Sequence, residues 1–330
     1  MAWVAGAAQA SLRAGDPGAP GPRRTVIDTR EVREGDLFVG MPGTRADGGT
    51  FAAEALAAGA WGVMVSSAHA GSVAAAAPAG TQVLEVEDPL VSLGSLAREW
   101  RRELGAKVIG VTGSTGKTST KDILAGVLAP FMSTHASREN FNTEIGLPLA
   151  ILEAEETTEV LVLEMAMRGE GQIAQLTEIA EPDVGVIVNV GPVHLELLGT
   201  VERVAAAKAE LIRDLRPGAA CVVPAGEALL ESHLRADIET VTFGPGGDVM
   251  LLAFERTGTR GGSAEIEAMG KRVSLDLAFD EPHNLLNTLA AVGAAVTVGA
   301  KPGGRVAVQF SSLRGEVVEL PGGVLSLIHI

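Results

Sequence analysis

One stretch of the 330-residue sequence has the residue types and spacing to hold a nucleotide. From Lys107 an apolar strand pattern runs into Thr112-Gly113-Ser114-Thr115-Gly116-Lys117-Thr118-Ser119-Thr120, where small residues break it and helical spacing resumes. Small residues let backbone N–H groups close around phosphate oxygens, and a helix starting there adds the positive end of its dipole. On this pattern Gly113, Ser114, Thr115, Gly116 and Ser119 surround the phosphates. Lys117 reaches the β- and γ-phosphates, and the Thr118 hydroxyl ligates Mg2+. The spacing departs from GxxxxGK[ST], because Gly110 lies one residue early and Val111 holds the first glycine position. The core Gly113-x-x-Gly116-Lys117-Thr118 is intact. A glycine-rich turn with a solvated lysine is the alternative, and the strand-to-helix setting argues against it. Such a loop specifies a nucleoside triphosphate and nothing about the reaction.

Groups that hold metal have to come from neighbouring strand ends, where open α/β sheets bind ligands. The apolar run 160–163 delivers Glu164, a carboxylate able to hold Mg2+ against phosphates; an exposed acid after a strand is equally common. The run 184–190 leads through Gly191-Pro192-Val193 to His194, whose neutral imidazole can ligate a second metal, although a single loop histidine is more often unremarkable. By periodicity Lys208, in an Ala-rich helix, is an ordinary helical lysine. Asn284 and Asn287 stand one turn apart, so their amides share a helix face; they either read a purine edge or cap the helix. Neither a Ser/His/Asp arrangement nor a GxGxxG fingerprint is present, so hydrolase and dehydrogenase readings lack residues.

The elements that position these groups follow from the patterning. Helical spacing over 51–60 and strands over 62–66 and 81–86 form a small α/β unit, and Asp88-Pro89 breaks the chain. A helix over 90–104 follows. Strands over 107–111, 160–163, 184–190 and 219–223 then alternate with helices over 117–128, 171–179 and 201–215, which implies a parallel sheet covered on both faces. Residues 241–280 read as an antiparallel flap, a helix runs from about 284 to 298, and Lys301-Pro302-Gly303-Gly304 reads as a hinge. The fold class is α/β: a small N-terminal α/β domain (1–87), a mostly parallel central domain with the phosphate loop (88–302), and a stub of a third domain (303–330).

Composition narrows the function. There are 26 basic and 41 acidic residues, a net charge of −15, which excludes a nucleic-acid binder that needs a basic face. No polybasic patch is present, and no apolar run approaches the ~20 residues of a membrane span. The apolar, Ala-rich start, 1–12, lacks the basic lead of a signal peptide. Aromatics are 3% with no Tyr, so Ala, Val, Leu and Ile must build the core. The single cysteine, Cys221, excludes an intrachain disulfide and reads as a small buried strand residue. A soluble, cytoplasmic, monomeric protein is expected.

Taken together, these residues resemble the ATP-dependent Mur ligases of peptidoglycan synthesis. The resemblance rests on the phosphate loop through Lys121-Asp122, on Asn140-Phe-Asn-Thr-Glu-Ile-Gly-Leu-Pro148, on Glu164-Met-Ala-Met-Arg-Gly169, on Asn189-Val-Gly-Pro-Val-His194-Leu-Glu196, on Ala207-Lys208-Ala-Glu210 and on His283-Asn284-Leu-Leu-Asn287. Upstream, Asp28-Thr-Arg30 and the segments around Gly35 and Gly43 resemble the family's UDP-sugar-binding domain. The resemblance implies ATP and Mg2+ as cofactors. It implies that Lys117 and Thr118 bind ATP and the first Mg2+, that Glu164 bridges to metal, and that His194 ligates a second Mg2+. It further implies that Lys208 is carbamylated by CO2 into an anionic ligand, that Asn284 and Asn287 face adenine, that Asn142 and Thr143 face the muramoyl peptide, and that Thr29 and Arg30 face the UDP end.

The implied reaction joins D-alanyl-D-alanine to UDP-N-acetylmuramoyl-tripeptide through an acyl phosphate. Thr143 stands where this subgroup often has a second Asn, and Ala166 where it often has Gly. The tail Ser326-Leu-Ile-His-Ile330 leaves the family pattern, so a chain cut short in its third domain, able to bind nucleotide and inactive in ligation, is the expectation. Two other readings are a sister ligase adding the third-position amino acid and a nucleotide-binding module without catalysis.

Overall fold

The structure is a computed structural model that describes residues 1–311 apart from 45, 139 and 258, together with the backbone of two antiparallel strands, Val317–Leu320 and Val324–Leu327. In chain order the first elements are α1 (Ala2–Ala7), β1 (Ser11–Ala14), β2 (Arg24–Val26), β3 (Asp36–Val39), α2 (Ala52–Ala57), β4 (Gly62–Ser66), α3 (Ser67–Ala76), β5 (Gln82–Val86) and α4 (Pro89–Leu104). There follow β6 (Lys107–Thr112), α5 (Lys117–Leu128), β7 (Thr134–Ala136), α6 (Gly146–Leu152), β8 (Val160–Glu164), α7 (Gln172–Ala180), β9 (Val184–Ile187), α8 (Leu195–Leu198) and α9 (Val201–Asp214). The remainder are β10 (Ala220–Pro224), α10 (Ala228–Glu231), β11 (Glu239–Phe243), β12 (Val249–Arg256), β13 (Gly262–Ala268), β14 (Lys271–Leu277), α11 (Pro282–Thr297) and β15 (Gly304–Arg305).

Two compact units result. The first contains Met1–Gly105 and Glu144–Glu155. Its sheet has the order β1-β5-β4-β3-β2, parallel except for β1. β3 is buried at every position, because both faces of a parallel sheet are covered. The unit extends past the boundary read at 87/88. Asp88 is the N-cap of α4, accepting from the Leu90 N–H at 2.8 Å, with Pro89 in the first turn and Gly105 closing the helix in the left-handed region. The Asp-Pro signal starts a helix of the same unit, and no linker lies there. The segment 144–155 returns to this unit, where the Trp100 indole N–H donates to the Ala154 carbonyl at 3.1 Å.

The second unit carries a sheet of order β15-β14-β13-β12-β11-β10-β9-β6-β8-β7. From β7 to β11 every neighbouring pair is parallel, and β12, β13 and β14 are antiparallel to one another; the antiparallel part read over 241–280 starts only at β12, because 241–243 belong to β11, which runs parallel to both β10 and β12. One face packs on α5 and α11 through Ile123, Leu124, Leu128, Leu289 and Ala290. The other packs Ile187, Ala209, Ile212 and Leu230 around Cys221, whose thiol burial pushes up in pKa. The strand read over 184–190 ends at Ile187, and 188–190 turn off into a loop. β7 and α6 were not expected from the sequence. Among the described residues no helix is long and apolar enough to cross a membrane.

Candidate nucleotide site

β9, β6 and β8 are neighbours and parallel, so the segments after all three emerge at one sheet edge. Residues 113–116 alone separate β6 from α5. Gly116 is the helix N-cap with φ +76° and no side-chain cap over it. A Cβ at Gly116 would stand 2.8 Å from Asn287 Oδ1, so only glycine fits. The Lys117 ammonium donates to the Gly113 carbonyl at 2.9 Å.

β8 places Glu164 opposite Val111, behind the phosphate loop. Its carboxylate is 3% exposed and accepts from the Thr118 hydroxyl at 2.7 Å and from the Asn142 amide at 3.0 Å. The Glu164 N–H donates to Ser137 Oγ at 3.1 Å. Ser137 also offers its carbonyl to Lys121 Nζ at 2.7 Å, and Lys121 pairs with Asp122 at 2.9 Å. Asp122 in turn accepts from the Ser311 N–H at 2.9 Å and its hydroxyl at 3.2 Å.

Among the described residues no cation pairs with Glu164, and its carboxylate meets only neutral donors. A buried anion beside a hydroxyl oxygen is a donor set that suits a hard divalent ion such as Mg2+. Among the described residues no three His, Cys, Asp or Glu are placed to hold a metal ion by themselves, so an ion at Glu164 would draw on hydroxyl and other oxygen donors as well.

Lys208 lies on the buried face of α9 with Val204, Ala205 and Leu211, and is 2% exposed. Burial, with the like charge of Lys117 second, lowers its pKa to about 7. The amine therefore gives up its proton far more readily than an ordinary lysine, which its sequence pattern gives no hint of. His194 heads α8 in the left-handed region at φ +55° and is half-buried. The loop before it is tied to the phosphate loop. Asn189 Oδ1 accepts from the Ser114 and Thr115 N–H groups at 3.1 and 3.0 Å, and Asn189 Nδ2 donates to the Thr115 carbonyl and hydroxyl oxygens, each at 3.1 Å.

Asn284 and Asn287 are both buried on α11. Asn287 Nδ2 donates to Asn284 Oδ1 at 3.3 Å, Asn284 donates to Glu281 at 3.4 Å, and Asn287 abuts Gly116. Thr143 is half-buried next to Asn142. Thr29 and Arg30 belong to the first unit. They form a short 3-10 turn capped by Asp28, whose carboxyl the Arg30 guanidinium holds at about 2. A cavity of about 550 Å³ lined by Glu239, Lys271 and Lys301 lies at the opposite strand ends from the phosphate loop. Sequence reasoning missed Asn189, Ser137 and the Lys121–Asp122 pair as supports, because each acts across 16 to 190 residues of chain, or through burial.

A phosphate loop backed by a buried carboxylate–hydroxyl pair at the carboxyl edge of a parallel sheet defines a P-loop nucleotide-binding α/β protein. The pattern of the Mur ligase family, catalytic domain, matches residues 24–101, and that of the Mur ligase middle domain matches 111–295. The chain belongs to the Mur ligase family. It is 39% identical to the UDP-N-acetylmuramoyl-tripeptide–D-alanyl-D-alanine ligase of Synechocystis over 302 residues, covering 90% of this chain and 61% of that one. It is 33% identical to the ligase of the same name from Bacillus subtilis, covering 92% of this chain and 65% of that one. The chain thus spans less than two thirds of the length of these curated relatives. Among solved structures it resembles MurF ligase from Thermotoga maritima in complex with ADP (TM-score 0.76, 36% identity, 93% of this chain and 70% of that one). It also resembles MurF from Acinetobacter baumannii (TM-score 0.79, 25% identity, 97% of this chain and 70% of that one).

Proposed function

We propose that the whole protein is an ATP-dependent ligase that joins D-alanyl-D-alanine to UDP-N-acetylmuramoyl-tripeptide, acting as a monomer in the cytoplasm. The observation that carries the proposal is the Thr118–Glu164 contact of 2.7 Å directly behind the phosphate loop. In the first step a carboxylate oxygen of the tripeptide bonds to the γ-phosphorus of ATP. The bond from that phosphorus to the β,γ-bridging oxygen breaks, and ADP leaves. In the second step the amine nitrogen of D-alanyl-D-alanine attacks the acyl carbon, the bond to phosphate breaks, and the nitrogen loses a proton.

Lys117 orients the phosphates by leaving the Gly113 carbonyl for them. Thr118 and Glu164 would hold Mg2+, His194 a second Mg2+, and Gly113–Ser119 the polyphosphate. Bound Mg2+ would neutralise charge on the phosphoryl oxygens during transfer. Lys208 would enter as its carbamate: its neutral nitrogen bonds to the carbon of CO2 and releases a proton, which turns a group that cannot ligate into an anionic oxygen donor. Asn284 and Asn287 would flank adenine, Asn142 and Thr143 the muramoyl peptide, and Thr29 and Arg30 the uridine end.

Phosphate release by the full-length protein tests this. Release from ATP that requires both UDP-N-acetylmuramoyl-tripeptide and D-alanyl-D-alanine is expected. Hydrolysis without any muramoyl nucleotide would overturn the proposal, and release with the dipeptide precursor plus one amino acid would assign the sister reaction instead.

A further inference from the structure

We infer that Asn189 is a positioning residue for nucleotide binding: its carboxamide splints the phosphate loop and fastens it to the loop that leads to His194. The inference rests on the nucleotide reading of the site and adds to it a residue with no assigned role.

The phosphate loop has little to hold it in shape. Thr115 is exposed and Ser114 is only half-buried, so burial does not fix either residue. Asn189 does. Its Oδ1 takes the two N–H groups of Ser114 and Thr115, and its Nδ2 gives both protons to Thr115 oxygens. Both ends of the amide are satisfied by one loop. Aspartate would supply no donors and an aliphatic residue nothing, so the two-acceptor, two-donor demand selects a carboxamide. The backbone adds a second tie. The Asn189 carbonyl accepts from the Ser114 N–H at 3.1 Å, the Gly191 N–H donates to Ser114 Oγ at 2.8 Å, and that hydroxyl donates to the Gly191 carbonyl at 3.1 Å. Val188 and the Asn189 nitrogen also lie 3.0 and 3.4 Å from where a Cβ on Gly113 would sit.

Two loops some 75 residues apart therefore move as one piece. Ordering them before phosphate arrives lowers the entropy lost on binding. The sign of the effect separates this role from a simpler one. If Asn189 merely occupied amides that a phosphate needs, its removal would tighten binding.

The experiment titrates ADP with Mg2+ into the protein and into Asn189→Ala by calorimetry, and follows hydrogen exchange in peptides spanning 112–118 and 188–195. We expect at least tenfold weaker ADP binding, faster exchange in both peptides together, and partial recovery in Asn189→Gln. ADP affinity that is unchanged or tighter overturns the inference, as does loosening of 112–118 with 188–195 unaffected. Should Asn189→Ala fail to fold, Ser114→Ala removes only the Gly191 rungs. It is expected to speed exchange in 188–195, and unaltered exchange there overturns the tie. Failure of the unsubstituted protein to bind ADP would instead remove the nucleotide reading itself.

Discussion

Replacing Lys208 by methionine should make the second unit more stable at neutral pH. The ammonium has a pKa of 10.5 in the unfolded chain and about 7 in the folded one, lowered by burial and then by Lys117. Between these values the unfolded chain holds a proton that the folded chain has shed, so stability rises with pH from about 7 to 10.5. Below about 7 both states are protonated and the full penalty is present. At ~1.4 kcal/mol per unit, the 10.5 − 7 = 3.5 units set a ceiling of about 5 kcal/mol. Local relaxation around the charge recovers part of this, so the expected gain for Lys208→Met at pH 7 is about 2 kcal/mol, or ~4–8 °C in Tm. Methionine fits because it is unbranched and close in volume.

Thermal or urea unfolding in CO2-free buffer with EDTA, from pH 6 to 10, measures the difference between the two proteins. The gap should be widest at and below pH 7 and close toward pH 10. A variant less stable than the parent at pH 7, or a gap that ignores pH, would refute the reasoning. Added bicarbonate should then stabilise the parent alone, since only the parent has an amine to carbamylate.

Two further outcomes follow from the same cluster. Glu164→Gln should leave ADP affinity in EDTA within about threefold while abolishing the gain that Mg2+ gives, because the buried anion is the hard donor; calorimetry with and without Mg2+ checks this, and a surviving Mg2+ effect counts against the assignment. Lys121→Met leaves Asp122 charged and buried beside Ser311, and should cost about 3–5 kcal/mol in urea unfolding; a loss under about 1 kcal/mol would show the pair to be incidental.

The phosphate loop was readable because its chemistry sits in consecutive residues between a strand and a helix. Glu164 was readable as an acid at a strand tip, while its contact with Thr118 needed β6 and β8 to be neighbours. Lys208 was not readable from pattern, since its neighbours Ala207 and Ala209 say nothing about depth; only the packing of α9 reveals that the amine is desolvated. The Asn189 fork joins residues far apart in sequence, and no local spacing encodes that. Asp88-Pro89 misled for a physical reason, because the same two residues that break a strand also begin a helix. β7 spans only Thr134–Ala136, too few residues for alternation to register.

The return of 144–155 to the first unit has a consequence for synthesis. The ribosome completes residue 105 well before it delivers the helix Gly146–Leu152 that the first unit needs. At roughly 5–20 residues per second, the nascent unit waits on the order of several seconds while β6, the nucleotide loop and α5 are already emerging. During that interval the surface awaiting α6 is uncovered and available to chaperones. No single cut in the gene can yield the first unit whole, because 144–155 belong to it together with 1–105.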